Sequence, residues 1–222
     1  EAVSATSVDE NGVVHLTGTY SDVGTQDTHT VTVDWGEGAP ETVDVSGGEF
    51  DITHRYLDDD PTGTASDVYT IHVTLTDDDL GADSAAPTAT IRNVAPALAL
   101  DAVAAILENG VATLTGTITD PGTLDTFTLD IDWGDPLSPD NSEQYTFAAS
   151  ETGSQGFTLT HQYLDDNPGA TVVDTYTISA TLTDDDTGED TQGTTVTVAN
   201  VAPQLEAVSA TSVDENGVVH LT

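Results

Sequence analysis

Residues 69–79 read YTIHVTLTDDD, and residues 176–186 read YTISATLTDDD. In the first run Tyr69, Ile71, Val73 and Leu75 share one face of an extended chain, and Thr70, His72, Thr74 and Thr76 share the other. Strict apolar–polar alternation of this kind is the mark of a half-buried β-strand. Tyr176, Ile178, Ala180 and Leu182 keep the same phase in the second run. Working outward, Val31, Val33 and Trp35 fall on one face, as do Val14 with Leu16 and Ala89 with Ile91. These short runs lie between clusters of Gly, Pro, Asn and Asp, and no helical period competes with them. The pattern predicts about seven strands per repeat, packed as an antiparallel β-sandwich.

The repeats are unequal. Glu10-Asn11-Gly12 matches Glu108-Asn109-Gly110, and Val33-Asp34-Trp35-Gly36 matches Ile131-Asp132-Trp133-Gly134, both at an offset of 108 − 10 = 98. His54, Tyr56, Leu57, Asp58 and Asp59 match His161, Tyr163, Leu164, Asp165 and Asp166 at an offset of 161 − 54 = 107. Asn93-Val94-Ala95-Pro96 matches Asn200-Val201-Ala202-Pro203 at the same 107, so 107 − 98 = 9 extra residues lie between Trp133 and His161. A longer period encloses both repeats: residues 206–222 (EAVSATSVDENGVVHLT) are letter for letter residues 1–17, a period of 206 − 1 = 205. Such self-similarity signals a tandem array. The expected division is a first sandwich over residues 1–96, a second over 97–203 with a longer loop at 135–155, and the first two strands of a third over 204–222. Proline cannot donate to a ladder and biases its predecessor to extended geometry, so each Asn-Val-Ala-Pro junction reads as short and stiff.

Taken in order, the motifs VDWGEGAP and IDWGDP, then H-x-Y-L-D-D, then YTIxxTLTDDD, and a closing NVAP resemble polycystic kidney disease (PKD) domains of the bacterial tandem type. The resemblance covers both repeats. It implies an all-β fold of tandem immunoglobulin-like antiparallel β-sandwiches arranged as a rod, with the role of an extracellular spacer or interaction module. It also implies calcium near the start of the domain in some members. The segment between His54 and Tyr69 is longer than the family's tight turn.

Forty acidic residues stand against two basic ones, a net charge of −38. Arg55 and Arg92 are the only side chains with a permanent positive charge. Nucleic acid and anionic lipid need clustered Lys and Arg, so both are excluded as partners, and no apolar run suits direct membrane insertion. There is no cysteine to form a disulfide. Such dense carboxylates call for divalent cations or high ambient salt.

Three acidic clusters recur in both repeats. Asp22 and Asp27 match Asp120 and Asp125 in the loop after the second strand. Asp77-Asp78-Asp79 match Asp184-Asp185-Asp186 beyond the strand that opens at Tyr69 or Tyr176. Glu10 matches Glu108 and Glu215 ahead of an Asn-Gly turn. Calcium takes six to eight oxygens from flexible loops. The expected metal ligands are therefore Glu10, Asp22, Asp27, Asp77 and Asp79, with Glu108, Asp120, Asp125, Asp184 and Asp186, converging at the end of each sandwich that receives the preceding linker. The other reading leaves these turns merely solvated. An EF-hand starting at Asp58 fails, because its twelfth position is Tyr69, not Glu. A non-EF acidic loop there, bridging to a neighbour, stays open.

His54 and His161 lack the convergent partners of a zinc site and read as structural. Asp186-Thr187-Gly188 resembles an aspartic-protease triplet, but the matching Asp79-Leu80-Gly81 does not, and that chemistry needs two such loops. No enzymatic function is expected. The chain reads as the structural unit of an extracellular filament, adhesin stalk or surface matrix, stiffened by calcium, whose partners are adjoining copies of itself head to tail. Sandwiches of about 40 Å, from strands of about ten residues at 3.3 Å, would give about 80 Å per unit. A carbohydrate- or protein-binding module is the alternative, with Tyr20 and Tyr145 as its aromatic candidates, and a purely halophilic acidity is a third reading. The 204–222 tail is expected to pack on an adjoining copy, within the same polypeptide or by strand addition between subunits.

Overall fold

The computed structural model describes residues 3–4, 7–167, 169–209, 212 and 215–218. The strands of the N-terminal half are β1 (Val3–Ser4), β2 (Val8–Asp9), β3 (Val13–Thr19), β4 (His29–Asp34), β5 (Glu41–Val45), β6 (Glu49–Arg55), β7 (Ser66–Thr70), β8 (His72–Asp77), β9 (Ala82–Ala85) and β10 (Thr88–Arg92). Those of the C-terminal half are β11 (Ala97–Leu100), β12 (Ile106–Leu107), β13 (Gly110–Thr119), β14 (Phe127–Asp132), β15 (Ser142–Phe147), β16 (Ser154–Tyr163), β17 (Val173–Asp184) and β18 (Glu189–Ala199). Among the described residues there is no helix long and apolar enough to cross a membrane.

The C-terminal half shows the topology without interruption. One sheet has the order β11-β13-β16 and the facing sheet the order β12-β18-β17-β14-β15. The first strand is shared: β11 pairs antiparallel with β13, and β12 then crosses over to run parallel to β18. Two antiparallel sheets joined this way form an immunoglobulin-like sandwich. The N-terminal half repeats it with breaks, as β1-β3-β6 facing β2-β10-β7 and β5-β4-β8-β9. The breaks have a local cause. Pro87 lies where the second repeat has Thr194, and without an N–H it cannot continue the ladder. One strand therefore becomes β9 and β10, its neighbour becomes β7 and β8, and the Ile71 amide donates to the Pro87 carbonyl at 2.9 Å.

Each sandwich closes on its own core. Val14, Leu16, Val31, Val33, Trp35, Ile71 and Ile91 are buried in the first, and Leu114, Leu129, Ile131, Trp133, Ile178 and Val198 in the second. The alternation read from residues 69–79 holds: Tyr69, Ile71 and Val73 are buried, and Leu75 packs against them. The polar tips of the buried tryptophan and tyrosine rings are all engaged. Tyr56 and Tyr163 hydroxyls donate to the Trp35 and Trp133 carbonyls at 2.8 and 2.7 Å. Trp35 and Trp133 Nε1 donate to Glu41 and Glu143, both at 2.7 Å. Tyr69 and Tyr176 hydroxyls donate to the Asp60 and Asp165 carbonyls. His54 and His161 stack on the two tryptophans at centroid distances of 4.9 and 5.1 Å, a structural role.

The nine extra residues divide in two. Glu41 and Glu143 take the same part, an offset of 143 − 41 = 102, so four residues enter the β14–β15 turn and five the β15–β16 connection. The stretch 135–155 therefore includes an edge strand, β15, rather than forming one loop.

A glycine–phenylalanine cross-strand pair, which has no signature in the alternation pattern, occurs in each repeat. Gly18 lies opposite Phe50 and Gly116 opposite Phe157. A Cβ on Gly116 would fall 2.5 Å from the Phe157 ring and 2.6 Å from the Ala99 carbonyl, so the ring covers bare backbone. Gly116→Ala is expected to destabilise the second sandwich by about 1–3 kcal/mol through overpacking, read by chemical denaturation. An unchanged midpoint would refute the close packing.

Residues 201–209 are irregular and exposed. The strands expected within 204–222 lie largely outside the described residues.

Candidate metal centre at the junction

The link between the sandwiches is fixed by backbone hydrogen bonds to side chains. The Val94 amide donates to Glu10 Oε1 at 2.7 Å, the Leu98 amide to Asp190 Oδ2 at 2.8 Å, and Asn93 Nδ2 to Asp184 Oδ2 at 3.0 Å. The Thr123 amide of the second sandwich donates to the Leu57 carbonyl of the first at 3.1 Å. These bonds press the β6–β7 loop and the β2–β3 turn of the first sandwich against the β13–β14 loop and β17–β18 turn of the second.

Seven carboxylates meet there. Glu10, Asp58 and Asp59 come from the first sandwich, and Asp120, Asp125, Asp184 and Asp186 from the second, all of them buried. Glu10, Asp58 and Asp59 each bring a carboxylate oxygen within 4.8 Å of the others, as do Glu10, Asp120 and Asp125, so two triads share Glu10. Asp58 also closes on Asp125, and Asp59 on Asp186, side chain to side chain. No positive charge enters. Arg55 is spent on Asn11, at 2.8 and 3.1 Å, and Arg92 lies 4.0 Å from Asp9.

Loop chemistry explains how the oxygens are aimed. In Asp120 one oxygen holds the backbone and the other is left over, and in Asp184 one oxygen holds the backbone while the other accepts from Asn93. Asp120 Oδ1 accepts from the Gly122 amide at 2.8 Å, and Asp184 Oδ1 accepts from the Asp186 and Gly188 amides at 3.0 and 2.6 Å. Asp185 accepts from the Thr126 amide at 2.8 Å, tying one acidic loop to the other. Gly122 lets the carboxylates close in, since a Cβ there would lie 2.2 Å from Glu10 Oε2. The buried oxygens with no hydrogen-bond partner are Glu10 Oε2, Asp58 Oδ1, both oxygens of Asp59, Asp120 Oδ2 and both of Asp125, joined by the Asn93 amide oxygen.

Burial in the company of like charges disfavours ionisation. Asp125 is pushed up to about 9, first by burial and then by Glu10 and Asp120. Glu10 rises to about 8, Asp120 and Asp186 to about 7, and Asp59 to about 6, in each case with burial as the leading cause. Two ionised carboxylates with oxygens within 4.8 Å of each other repel by at least about 3.5 kcal/mol at an effective dielectric constant of about 20. At neutral pH such a cluster needs protons or cations. Bare oxygens from carboxylates and an amide, gathered from loops, are the donor set of a hard divalent ion.

The structure revises the expected grouping. Glu10 does not join Asp22, Asp27 and Asp77 of its own repeat. It sits on the turn between β2 and β3, where β10 leads into the linker and the Glu10 amide donates to the Arg92 carbonyl at 2.9 Å. The β3–β4 loop and the β8–β9 turn lie a strand length away, at the other end. Glu10 therefore faces Asp120 and Asp125 of the next sandwich, and Glu108 gathers with Asp165 and Asp166 at the far end of the second. Asp22, Asp27 and Asp77 do come together, but exposed or half-buried, and Asp79 stands exposed beside them. Asp58 and Asp59, left among the open alternatives, are central. Their signal was the His-x-Tyr-Leu-Asp-Asp motif, which repeats intact.

Tyr20 and Tyr145 are not exposed platforms. Both are half-buried, Tyr20 tilted on His29 at 4.9 Å and Tyr145 packed on the second core.

A tandem of immunoglobulin-like sandwiches with an acidic junction is thus the class defined by fold and site. No family model and no curated protein matches the sequence. Among solved structures, a tetra-tandem repeat from the extending region of a large adhesion protein is similar at 20% identity and a TM-score of 0.47, over 94% of this chain and 50% of that one. A Ca2+-stabilised adhesin with which an Antarctic bacterium reaches out and binds ice gives 15% identity and a TM-score of 0.28, over 97% and 53%. The complex of Dpr11 IG1 with DIP-gamma gives 11% and 0.41, over 89% and 96%. The chain spans about half the length of the first of these structures.

Proposed function

We propose that this chain is a structural repeat of an extracellular or cell-surface filament or adhesin stalk, in which calcium bound between successive sandwiches locks them into a rod. In this reading residues 1–96 and 97–203 are the two sandwiches of one unit. Calcium is held by Glu10, Asp58, Asp59, Asp120 and Asp125, with Asp184 and Asp186 at the rim. One observation carries the reading. Asp120, Asp125, Asp184 and Asp186 are buried where the sandwiches meet, while their counterparts Asp22, Asp27, Asp77 and Asp79 are exposed or half-buried at the opposite end of the first sandwich. A surface designed only for solvation would not bury seven carboxylates without a counter-charge, because uncompensated buried charge is costly. With two triads sharing Glu10, the junction has donors for more than one ion.

Calorimetric titration of the metal-free chain at pH 7.5 is expected to show saturable calcium binding with proton release, since metal displaces protons from carboxyls of raised pKa. Asp125→Asn should weaken it at least tenfold. No saturable binding, or binding indifferent to that substitution, would refute the proposal.

A further inference from the structure

The outer faces of the two sandwiches carry the same seven acidic positions as the interior junction, divided between them. At the far end of the second sandwich Glu108, Asp165 and Asp166 each bring an oxygen within 4.8 Å of the others, as Glu10, Asp58 and Asp59 do at the interior junction. At the near end of the first sandwich Asp22, Asp27 and Asp77 form a like group, with Asp79 beside them, in the places of Asp120, Asp125, Asp184 and Asp186. Residue type is retained at all seven positions.

The presentation is retained too. The Val201 amide donates to Glu108 Oε1 at 2.7 Å, as Val94 does to Glu10, and the Asn200 amide donates to the Val172 carbonyl as Asn93 does to Ala65. Asp22 Oδ1 accepts from the Gly24 amide at 2.8 Å, and Asp77 Oδ1 accepts from the Asp79 and Gly81 amides at 2.9 and 2.7 Å. Asp166 is 93% buried, being 7% exposed, and its Oδ2 has no partner. An oxygen left bare in that way, on the face of the second sandwich turned away from the first, is aimed at something neither sandwich supplies.

Sequence spacing says what that is. From Pro96 to Thr115 is 115 − 96 = 19 residues, and from Pro203 to Thr222, the repeat of Thr17, is 222 − 203 = 19. Thr115 and Thr17 are equivalent positions, so the second linker has the length of the first. We infer that Glu108, Asp165 and Asp166 are one half of a split divalent-cation site whose other half is Asp22, Asp27, Asp77 and Asp79 of a following copy of the first sandwich. The array then has one kind of acidic junction throughout, within units and between them. The split junction has an imidazole the interior one lacks: His29, where the interior junction has Phe127, donates through Nε2 to Asp22 Oδ2 at 3.0 Å. The inference rests on the calcium reading of the interior junction and extends it to the join between units.

Counting separates the two. A single unit has one complete junction. A chain of two successive 205-residue units has three: two interior ones and the join. Terbium luminescence or calcium titration is therefore expected to give a 3:1 ratio of tight sites per chain, returning to 2:1 when Asp166 of the first unit is changed to Asn. A 2:1 ratio in the unsubstituted two-unit chain would overturn the split site while leaving the interior site intact. A single unit whose tight-site count falls on Asp27→Asn would also overturn it, since that half would then bind alone. No tight binding by the single unit would instead sink the calcium reading beneath it.

Discussion

Adding millimolar calcium to the metal-free chain at pH 7.5 and low ionic strength is expected to raise its thermal midpoint by on the order of 10 °C. A ligand held only by the folded state adds about 2.7 kcal/mol at 100 times its dissociation constant and about 4.1 at 1,000 times. One kcal/mol shifts the midpoint of a chain of this size by about 2–4 °C. The gain is concentrated at the junction, where buried oxygens of Glu10, Asp59 and Asp125 have no partner of their own. Sodium chloride at matched ionic strength should give only a small part of it, because screening by mobile ions acts on exposed charges and hardly reaches buried ones. Asp125→Asn should reverse sign with conditions. Without calcium it removes a carboxyl that folding must protonate at this pH and raises the midpoint, and with calcium it removes a ligand and lowers it. A midpoint indifferent to calcium, or one that sodium chloride raises equally, would leave the acidity as an adaptation to salt alone.

The parts of this arrangement that depend on one strand's neighbours in sequence are legible in the amino-acid pattern itself. Alternation in residues 69–79 places Tyr69, Ile71 and Val73 inward, and they are buried. What the pattern hides are relations across the sandwich. Glycine beside phenylalanine carries no local signal, and only the register of β13 with β16 sets Gly116 under Phe157. The same holds for the acidic centre. Its residue types recur visibly, yet which of them meet depends on which end of the sandwich each turn occupies. Grouping Glu10 with Asp22 and Asp77 assumed one end where the topology has two. The Asp58-Asp59 pair was the harder case, since an acidic loop looks alike whether it meets water or a neighbouring domain.

Without calcium, stability is expected to fall as pH rises from about 5 to 9, contrary to the usual behaviour of an acidic protein with paired carboxylates. Asp59, Asp120, Asp186, Glu10 and Asp125 all have folded-state pKa values above their ordinary 3.8–4.5, at about 6, 7, 7, 8 and 9. Between those limits the folded junction holds protons that the unfolded chain has released. The folded state binds more protons, so its contribution is fully present below pH ~4 and is lost as pH passes through the folded values. Each such carboxyl weighs about 1.4 kcal/mol per pH unit while it differs between the two states. The total is capped, because each sandwich has its own core and the junction can part before either unfolds. The expected fall is therefore a few kcal/mol, accompanied by increased bending between sandwiches that small-angle scattering reads as a broadened distance distribution. Calcium displaces the protons, so its stabilising effect should grow with pH across the same window and flatten the curve. A metal-free midpoint that climbs from pH 5 to 9 would mean that the junction carboxyls are already ionised and open to water, and the cluster would lose its claim to be a site.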